Sequence, residues 1–481
     1  MEPFELFLSP AEDGGQTLPG GLGLHTLRET GAVPDDDEDD SSRKSHIDPG
    51  GEPDSLHDQG WAVVVPRGED GDRLLALTAP LLRKRAQEQG LEKVGIYRVP
   101  STLSTSQAVQ WLDRVLVGNR TLAEIPGYVC ILGGPTQVSF ELQQVLSTGF
   151  CAGRIAFDQD EHYEAYVDKL LRWEQAPRDA SGRAIFFTAR DGTSATEIGH
   201  RRFMQPTIED VRNDGARGRY ALDDILDLAG DDPVATADEL LAAAAREQPS
   251  FLMTCSHGMG APRSGWDSPE RRRALQGALC LGEGRHIAAD DLARAHFLPG
   301  GLWFFFACYG LGTPARSAYH AWLRRLHAMG ELGSDPDVVL RSLPQDGEPP
   351  FLAALPKAAL ANPNGPLAVV GHLDLAWTYS FQDVEKMTGS ERHRRYQGLL
   401  DLALRGKPMG LAFGDLRRAR NLVKTDLTVA SDRVVQAQEA GEEAPDESIR
   451  MGHRWMLHHD LDGYLLLGDP AARLPVRPPG R

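Results

Sequence analysis

The sequence predicts an α/β fold in which a mostly parallel sheet has helices on its faces. Short apolar runs, of the kind found in strands that are buried on both faces, alternate with amphipathic helical segments. The alternation starts at Trp61 and starts a second time at Ala184, and such a rhythm is typical of parallel β-α-β units. We therefore expect two adjacent α/β subdomains, at 61–180 and 181–481, after a leader at 1–60.

The predicted strands and helices follow this rhythm along the chain. Strands are expected at 61–65, 93–97, 127–132, 153–157, 184–189, 250–255, 302–307, 365–372 and 463–468. Helices are expected at 73–89, 106–116, 140–146, 160–174, 236–246, 289–295, 315–329, 390–405 and 413–423, and 205–247 reads as mainly helical. The alternation of elements is expected to resume at 274–281. The segment 430–450 is predicted to be an exposed acidic insertion.

The leader has the composition of a segment that builds no core of its own. It holds 15 acidic and 3 basic side chains and includes an acidic block at 35–40, so we expect it to be mostly disordered. Two interpretations stay open for it. One is a solvated tail, and the other is an inhibitory or docking leader whose Phe4, Leu6, Phe7 and Leu8 occupy a groove.

Composition excludes several classes of function. The chain of 481 residues has a net charge of −18, most of it in the leader, and this balance provides no basic surface for nucleic acid or for a membrane. Its apolar runs are shorter than a membrane span, and the acidic N-terminus is unlike a signal peptide. Five cysteines are few and odd in number, which favours reduced thiols and a cytoplasmic location over a secreted disulfide framework.

A metal or cofactor site is not expected. His453, His458, His459 and Asp460 are the strongest candidate cluster, but their spacing does not put them on one helix face. We therefore predict that they are surface histidines beside an unrelated aspartate.

Two of the predicted strands end in a residue that can do chemistry. One apolar run leads into His257 and Gly258, and another leads into Ala307 and Cys308. Ligands of open α/β sheets bind just beyond the carboxyl ends of the strands, so an imidazole and a thiol are expected at one rim. A thiolate made by a neighbouring base is a nucleophile, which predicts a Cys–His hydrolase. The alternative is a pair of buried core residues at strand ends.

These residues resemble the His-Gly and Ala-Cys pairs of the caspase-like (clan CD) cysteine peptidases, which include caspases, legumain, separase, gingipains and CHAT peptidases. Three further stretches are similar to gingipains in particular: AGRIAFDQDEHYEAYVDKLLRWE at 152–174, VGHLDLAWTYSF at 370–381 and YLLLGDP at 464–470. The resemblance implies a caspase-like three-layer α/β/α fold with two subdomains. It also implies that Cys308 is the nucleophile and His257 the base, with Trp377 at the wall of the substrate pocket.

The same resemblance implies an acidic residue that supports the histidine, and Asp191 is its best counterpart, although a role as a turn residue is equally open. The backbone N–H groups of Gly258 and Cys308 are candidates for the oxyanion hole, because both lie where the chain turns sharply.

Specificity for the residue on the acyl side of the cleaved bond (P1) is left open. Glu197 would select a basic P1 residue, whereas Arg190 would select an acidic one, and each is also read as a solvated loop charge. Phe381, which follows Trp377 in the same stretch, is a further candidate for substrate binding.

The predicted function is that of a cytoplasmic cysteine endopeptidase that cleaves proteins or peptides through a thioester and needs no cofactor. A leader, a loop or a regulatory protein partner is expected to control it. The alternative is a peptidase-like scaffold that binds partners without turnover. The presence of both Cys308 and His257 favours the enzyme, and a serine hydrolase is disfavoured because a Gly-x-Ser-x-Gly motif is lacking.

Overall fold

A ten-stranded sheet runs through the computed structural model of the chain. The structure describes residues 3–11, 15–32, 45–229, 237–333, 336–382, 393–440 and 447–478. The predicted acidic block at 35–40 lies outside the described residues, as does part of the predicted insertion at 430–450.

The strands of the described residues are numbered here in chain order. They are β1 (Leu8–Ser9), β2 (Trp61–Pro66), β3 (Gly95–Val99), β4 (Tyr128–Leu132), β5 (Cys151–Ile155), β6 (Gly182–Thr188), β7 (Leu222–Asp227), β8 (Ser250–Cys255), β9 (Gly258–Met259), β10 (Leu279–Gly282), β11 (Arg285–Ile287), β12 (Leu302–Phe306), β13 (Gly312–Thr313), β14 (Phe351–Leu352), β15 (Ala368–His372) and β16 (Tyr464–Gly468).

The large sheet has the strand order β3-β2-β4-β5-β16-β15-β12-β8-β6-β7. All neighbouring strands in it are parallel except β15 and β16, so the two halves of the sheet run in opposite directions and meet at that pair. Strands β2, β4, β8, β12, β15 and β16 are buried along their whole length. The predicted α/β class, with a mostly parallel central sheet and many helices, is confirmed, and it is consistent with a caspase-like fold.

The α-helices connect these strands. They are α1 (Leu56–Gln59), α2 (Glu69–Leu77), α3 (Ala79–Glu88), α4 (Thr105–Trp111), α5 (Phe140–Gly149), α6 (Asp160–Gln175), α7 (Ser194–Gly199), α8 (Gln205–Ala216), α9 (Ala237–Ala244), α10 (Pro269–Leu275), α11 (Ala289–Leu292), α12 (His320–Ala328), α13 (Pro336–Ser342), α14 (Ala354–Ala361), α15 (Arg394–Leu404), α16 (Met409–Ala440) and α17 (Ser448–Asp462). None of the described helices is both long and apolar enough to cross a bilayer.

One predicted segment differs from the structure for a physical reason. The segment 205–247 was expected to be mainly helical, but it contains β7, an edge strand with three aspartates that is only half-buried. A polar edge strand lacks the apolar run of a central strand, so its pattern gives little signal. The alternation expected to resume at 274–281 is present there as the end of α10 and the strand β10, which pairs with β9 and β11 in a small sheet.

The leader is packed against the body of the molecule wherever the structure describes it. Strand β1 pairs in parallel with β9, and a 3-10 helix at Leu24–Ala32 follows it. Phe4, Leu6, Phe7 and Leu8 are all buried. These residues are thus ordered in a segment whose composition predicts disorder, because their apolar side chains are buried in a core that the rest of the chain supplies.

Candidate active site

Strands β8 and β12 bring His257 and Cys308 to the same rim of the sheet. The two strands are parallel neighbours, and their last paired residues are Cys255 and Phe306. His257 and Cys308 each follow two residues later, so both emerge from the carboxyl end, as the sequence predicts. Gly258 passes so close to Cys308 that a Cβ on it would lie 1.8 Å from the Cys308 carbonyl oxygen. Only glycine fits at that point.

The His257 imidazole is oriented by Thr193 and Asp191. Nε2 of His257 lies 2.9 Å from Oγ1 of Thr193, and that hydroxyl donates to Oδ1 of Asp191 over 2.7 Å. In the tautomer in which Nε2 carries the hydrogen, the Thr193 hydroxyl accepts from Nε2–H and gives its own hydrogen to the carboxylate. Nδ1 of the neutral imidazole is therefore the unprotonated nitrogen, which is the atom that can act as a base.

Asp191 also faces the imidazole directly. Its Oδ2 lies 3.7 Å from Nε2 of His257, and both side chains are fully buried. Its Oδ1 accepts from Thr196 as well as from Thr193, which holds the carboxylate in place at the start of α7. Burial lowers the pKa of His257, and the Asp191 carboxylate and the Phe7 backbone oppose that shift.

The Cys308 thiol is buried and bonded to the backbone of Ala376. Sγ accepts from the Ala376 N–H over 3.1 Å and lies 3.6 Å from the Ala376 carbonyl oxygen. Burial raises the pKa of the Cys308 thiol well above its ordinary value. In this arrangement the sulfur is a protonated thiol shielded from water. The chain turns sharply after it, since Tyr309 has a φ of 55°.

Two backbone N–H groups at this rim converge on one carbonyl oxygen. The oxygen belongs to Phe7, and it accepts from Gly258 N over 2.9 Å and from Cys308 N over 3.3 Å. Phe7 N in turn donates to the Ala376 carbonyl over 3.1 Å. Paired N–H groups aimed at one oxygen beside a nucleophile can stabilise the negative charge of a tetrahedral intermediate.

The residues on either side of Phe7 pair with the walls of this cleft as an extended strand. Leu8 and Ser9 continue in parallel with β9, and Leu6 forms an antiparallel bridge with Trp377. Glu5 exchanges hydrogen bonds with Thr378, because its carbonyl accepts from Thr378 N over 3.2 Å and its N–H donates to Thr378 Oγ1 over 3.1 Å. Backbone pairing of this kind is how clefts bind extended peptides.

The Phe7 side chain lies in an apolar pocket. Its ring centroid is 4.7 Å from that of Phe306, 5.7 Å from that of His257 and 6.4 Å from that of Phe381. Phe203 stacks on Phe381 at 5.0 Å and backs this wall. Phe381, a predicted substrate-binding residue, thus lines this pocket.

The other predicted substrate-binding residues lie elsewhere. Arg190 and Glu197 form an ion pair with each other, with Arg190 Nε 2.9 Å from Glu197 Oε1, and the Arg190 guanidinium also reaches the Ala229 carbonyl. The selection of a basic or acidic P1 residue by either of them stays a prediction. Trp377 is fully buried, and its ring packs edge-on against those of Trp322 and Tyr379, so it contributes its backbone to the cleft.

The prediction of surface histidines at 453–459 is wrong for two of the three. His453 and His458 are buried within α17, and so is Asp460. Asp460 accepts a hydrogen bond from Trp377 N over 2.9 Å and another from the Ser380 hydroxyl, so it supports the loop that pairs with Leu6. Their burial follows from the amphipathic packing of the helix, which the spacing argument did not consider. Among the described residues, no group of three potential metal ligands is found.

Sequence reasoning missed Thr193 and Ala376. Thr193 carries a weak signal, because a threonine two residues after an aspartate often caps the following helix, as this one does for α7. Ala376 carries none, since it acts only through its backbone. Its position depends on pairing between segments that are far apart in the chain.

Similarity to known proteins is found among solved structures. A structure described only as a protease aligns with a TM-score of 0.46 and 12% identity, over 86% of this chain and 78% of the other. The Arg-specific cysteine proteinase gingipain R (RgpB) aligns with a TM-score of 0.46 and 11% identity, over 87% and 78%. The complex of the Porphyromonas gingivalis RgpB pro- and mature domains aligns with a TM-score of 0.44 and 12% identity, over 86% and 79%. No family model and no curated protein matches the chain.

Proposed function

We propose that the chain is a cysteine endopeptidase with Cys308 as the nucleophile and His257 as the general base. The observation that carries this proposal is the convergence of the Gly258 and Cys308 N–H groups on a peptide carbonyl oxygen. A bound peptide carbonyl beside a thiol and an oriented imidazole is the arrangement that acyl transfer needs. The fold class agrees with such a peptidase but does not decide the chemistry.

The reaction begins when Nδ1 of His257 takes the proton of the Cys308 thiol. The thiolate attacks the substrate carbonyl carbon, and the two N–H groups stabilise the charge on its oxygen. The imidazolium is stabilised by the Asp191 carboxylate and held by Thr193. It then protonates the leaving amine, and water hydrolyses the thioester to release the acyl product and restore the thiol.

A peptidase-like scaffold without turnover is the second candidate. The burial of Cys308, which raises the pKa of its thiol, favours it, because a protonated and covered sulfur does not attack a carbonyl. For either candidate we propose a protein or peptide ligand, regulation by the leader or by a protein partner, and a cytoplasmic location in which the five free cysteines stay reduced.

A peptide-library cleavage assay tests the enzyme against the scaffold. It is run with the wild type, with Cys308→Ala, and with Cys130→Ala as a matched control, because Cys130 is another buried cysteine and lies in β4 away from the cleft. Phe7→Asp is included because an aspartate in place of the buried phenylalanine should displace the leader from the cleft. We expect Cys308→Ala to abolish cleavage, with a loss of about a thousandfold or more, and Cys130→Ala to retain it. Absence of cleavage in the wild type and in Phe7→Asp alike would establish the scaffold.

A further inference from the structure

We propose that the cleft is selective for an aromatic residue at P1, and that residues 4–9 of the chain are its resident occupant and compete with external substrates. The P1 assignment rests on the proposed peptidase function. The presence of residues 4–9 in the cleft does not, because it is seen directly in the hydrogen bonds and ring contacts of those residues. It assigns the substrate class and the regulation of the same site.

The register of the occupant identifies P1. The carbonyl that receives both N–H groups is the one a nucleophile would attack, and it belongs to Phe7. Phe7 is therefore the P1 residue, and the bond from Phe7 to Leu8 occupies the position of the bond to be cleaved. Leu6 and Glu5 follow as P2 and P3, and their antiparallel pairing with Trp377 and Thr378 fixes this register.

The chemistry of the pocket favours an aromatic P1 side chain over a charged one. Phe7 is fully buried, and the pocket wall that it contacts is made of aromatic rings. At its base, a Cβ on Gly199 would lie 3.0 Å from Cζ of Phe7, so a small residue there leaves room for the ring. Arg190 and Glu197, the charged residues predicted for P1 selection, form an ion pair with each other. A charged P1 side chain would be buried here without a partner, which is costly.

A second aromatic side chain anchors the other end of the occupant. The Phe4 ring stacks on Tyr379 with centroids 4.1 Å apart and planes 12° apart. Phe4 also exchanges two backbone hydrogen bonds with Leu22, so the leader folds back on itself beyond the cleft. Preferred substrates should therefore carry aromatic residues at both P1 and P4, three residues apart, as the leader does.

Tethering makes this occupant a strong competitor. A segment joined to the same chain binds at an effective concentration in the millimolar range, and an external peptide must displace it. While Phe7 is seated, Cys308 is covered and has no exposed surface. The leader thus holds the peptidase in a closed state until it is displaced.

The occupancy is tested by the rate at which iodoacetamide alkylates Cys308, followed by peptide mass spectrometry on the full chain. Phe7→Asp should raise that rate by about tenfold or more, because a carboxylate is not stable in the apolar pocket. The matched control is Leu24→Asp, which changes a partly buried leucine of the leader outside the cleft. A synthetic peptide of residues 4–9, added in excess, should restore slow alkylation of Phe7→Asp, which shows that the variant is folded. Equal rates for the wild type and Phe7→Asp would overturn the occupancy.

The P1 assignment is tested by cleavage of the same peptide by the Phe7→Asp chain. We expect cleavage between the residues that correspond to Phe7 and Leu8, and at least a tenfold lower rate for peptides in which Arg or Asp replaces that phenylalanine. Preferred cleavage of the Arg or Asp peptide would overturn the aromatic pocket and leave the peptidase intact. Faster alkylation and peptide protection without any cleavage would support the occupancy and contradict the peptidase.

Discussion

At the scale of single residues, Thr193 is the hydrogen-bond partner of Nε2 of His257, the proposed base. Its hydroxyl gives its one hydrogen to Asp191 and accepts the hydrogen of Nε2, so Nδ1 is left with its lone pair. Asp191, 3.7 Å away from the ring, acts through charge and through Thr193. The proposed base is thus held by a hydroxyl and a carboxylate, since a hydrogen bond on one ring nitrogen sets the role of the other.

Replacing Thr193 tests this arrangement. Thr193→Val removes the acceptor at nearly the same volume, and we expect kcat/KM to fall by about 10- to 100-fold, since a hydrogen bond to a charged group contributes about 1.5–3 kcal/mol. Thr193→Ser keeps the hydroxyl and should stay within a few-fold of the wild type. The measurement is the pH dependence of kcat/KM in the Phe7→Asp background, in which the leader is displaced from the cleft. If Thr193→Val shows the same pH dependence and the same kcat/KM as Thr193, the hydrogen bond to His257 does not matter for the reaction.

At the scale of elements, a buried ion cluster joins the end of the last strand to β2, α3 and α6. Asp469, which follows β16, accepts from Trp61 Nε1 over 3.0 Å and from Arg85 Nε over 2.8 Å. Arg85 of α3 also binds Glu174 of α6. Burial opposes the charged guanidinium, but the carboxylates of Asp469 and Glu174 raise the pKa of Arg85 well above its ordinary value, so Arg85 stays charged. The Gly-Asp-Pro stretch therefore joins β2, α3 and α6 in addition to turning the chain.

Removing the arginine of this cluster should destabilise the fold. Arg85→Met leaves Asp469 and Glu174 buried without their cation, and such a loss costs about 3–5 kcal/mol. Arg83→Met is the matched control, because Arg83 is exposed on the same helix and its change should stay within about 0.5 kcal/mol. Denaturant unfolding of the full chain measures both, and equal stability of the two variants would show that the cluster contributes little.

At the scale of the whole molecule, residues from the two ends of the chain form one cleft. Glu5 and Thr378, which are 373 residues apart, share a hydrogen bond, and Asp460 of α17 supports the loop that carries Thr378. Burial raises the pKa of Asp460 to about 7 and that of Asp374, at the start of the same loop, to about 6. The carboxylates that hold this loop are therefore more readily protonated in the folded state than in the unfolded one.

This shift predicts a pH dependence of stability. A carboxyl with a raised folded-state pKa adds stability that is complete below its unfolded pKa of about 4 and is lost as the pH rises to about 7. We expect Asp460→Asn to lose that component, on the order of a few kcal/mol between pH 4 and pH 8, when the free energy of unfolding is measured by denaturant. The exposed Asp432→Asn should keep the wild-type pH dependence. If the free energy of unfolding of Asp460→Asn changes with pH as steeply as that of the wild type, Asp460 is not the source of the pH dependence.

Much of the fold and the centre of the candidate site could be predicted because their signals are local. Continuous apolar runs such as β8 and β12 are visible in sequence, and each points to the residue at its end. The same reasoning failed for β7, which lies at the sheet edge with polar side chains, and for the buried histidines of α17. The roles of Asp191, Trp377, Arg190 and Glu197 stay predictions as catalytic or specificity residues, although the structure places the last two in a pair.

By itself, the sequence determined the α/β class and the placement of His257 and Cys308 at one edge of the sheet. Both could be predicted because a buried strand and its end produce a recognisable pattern within a short stretch of residues. Only the tertiary structure decided that the leader lies in the cleft, that Thr193 orients the base and that Phe7 fills the pocket. These features depend on pairing between segments hundreds of residues apart. Such pairing is selected by the shape and unpaired backbone groups of the folded chain, and neither is present in any local pattern.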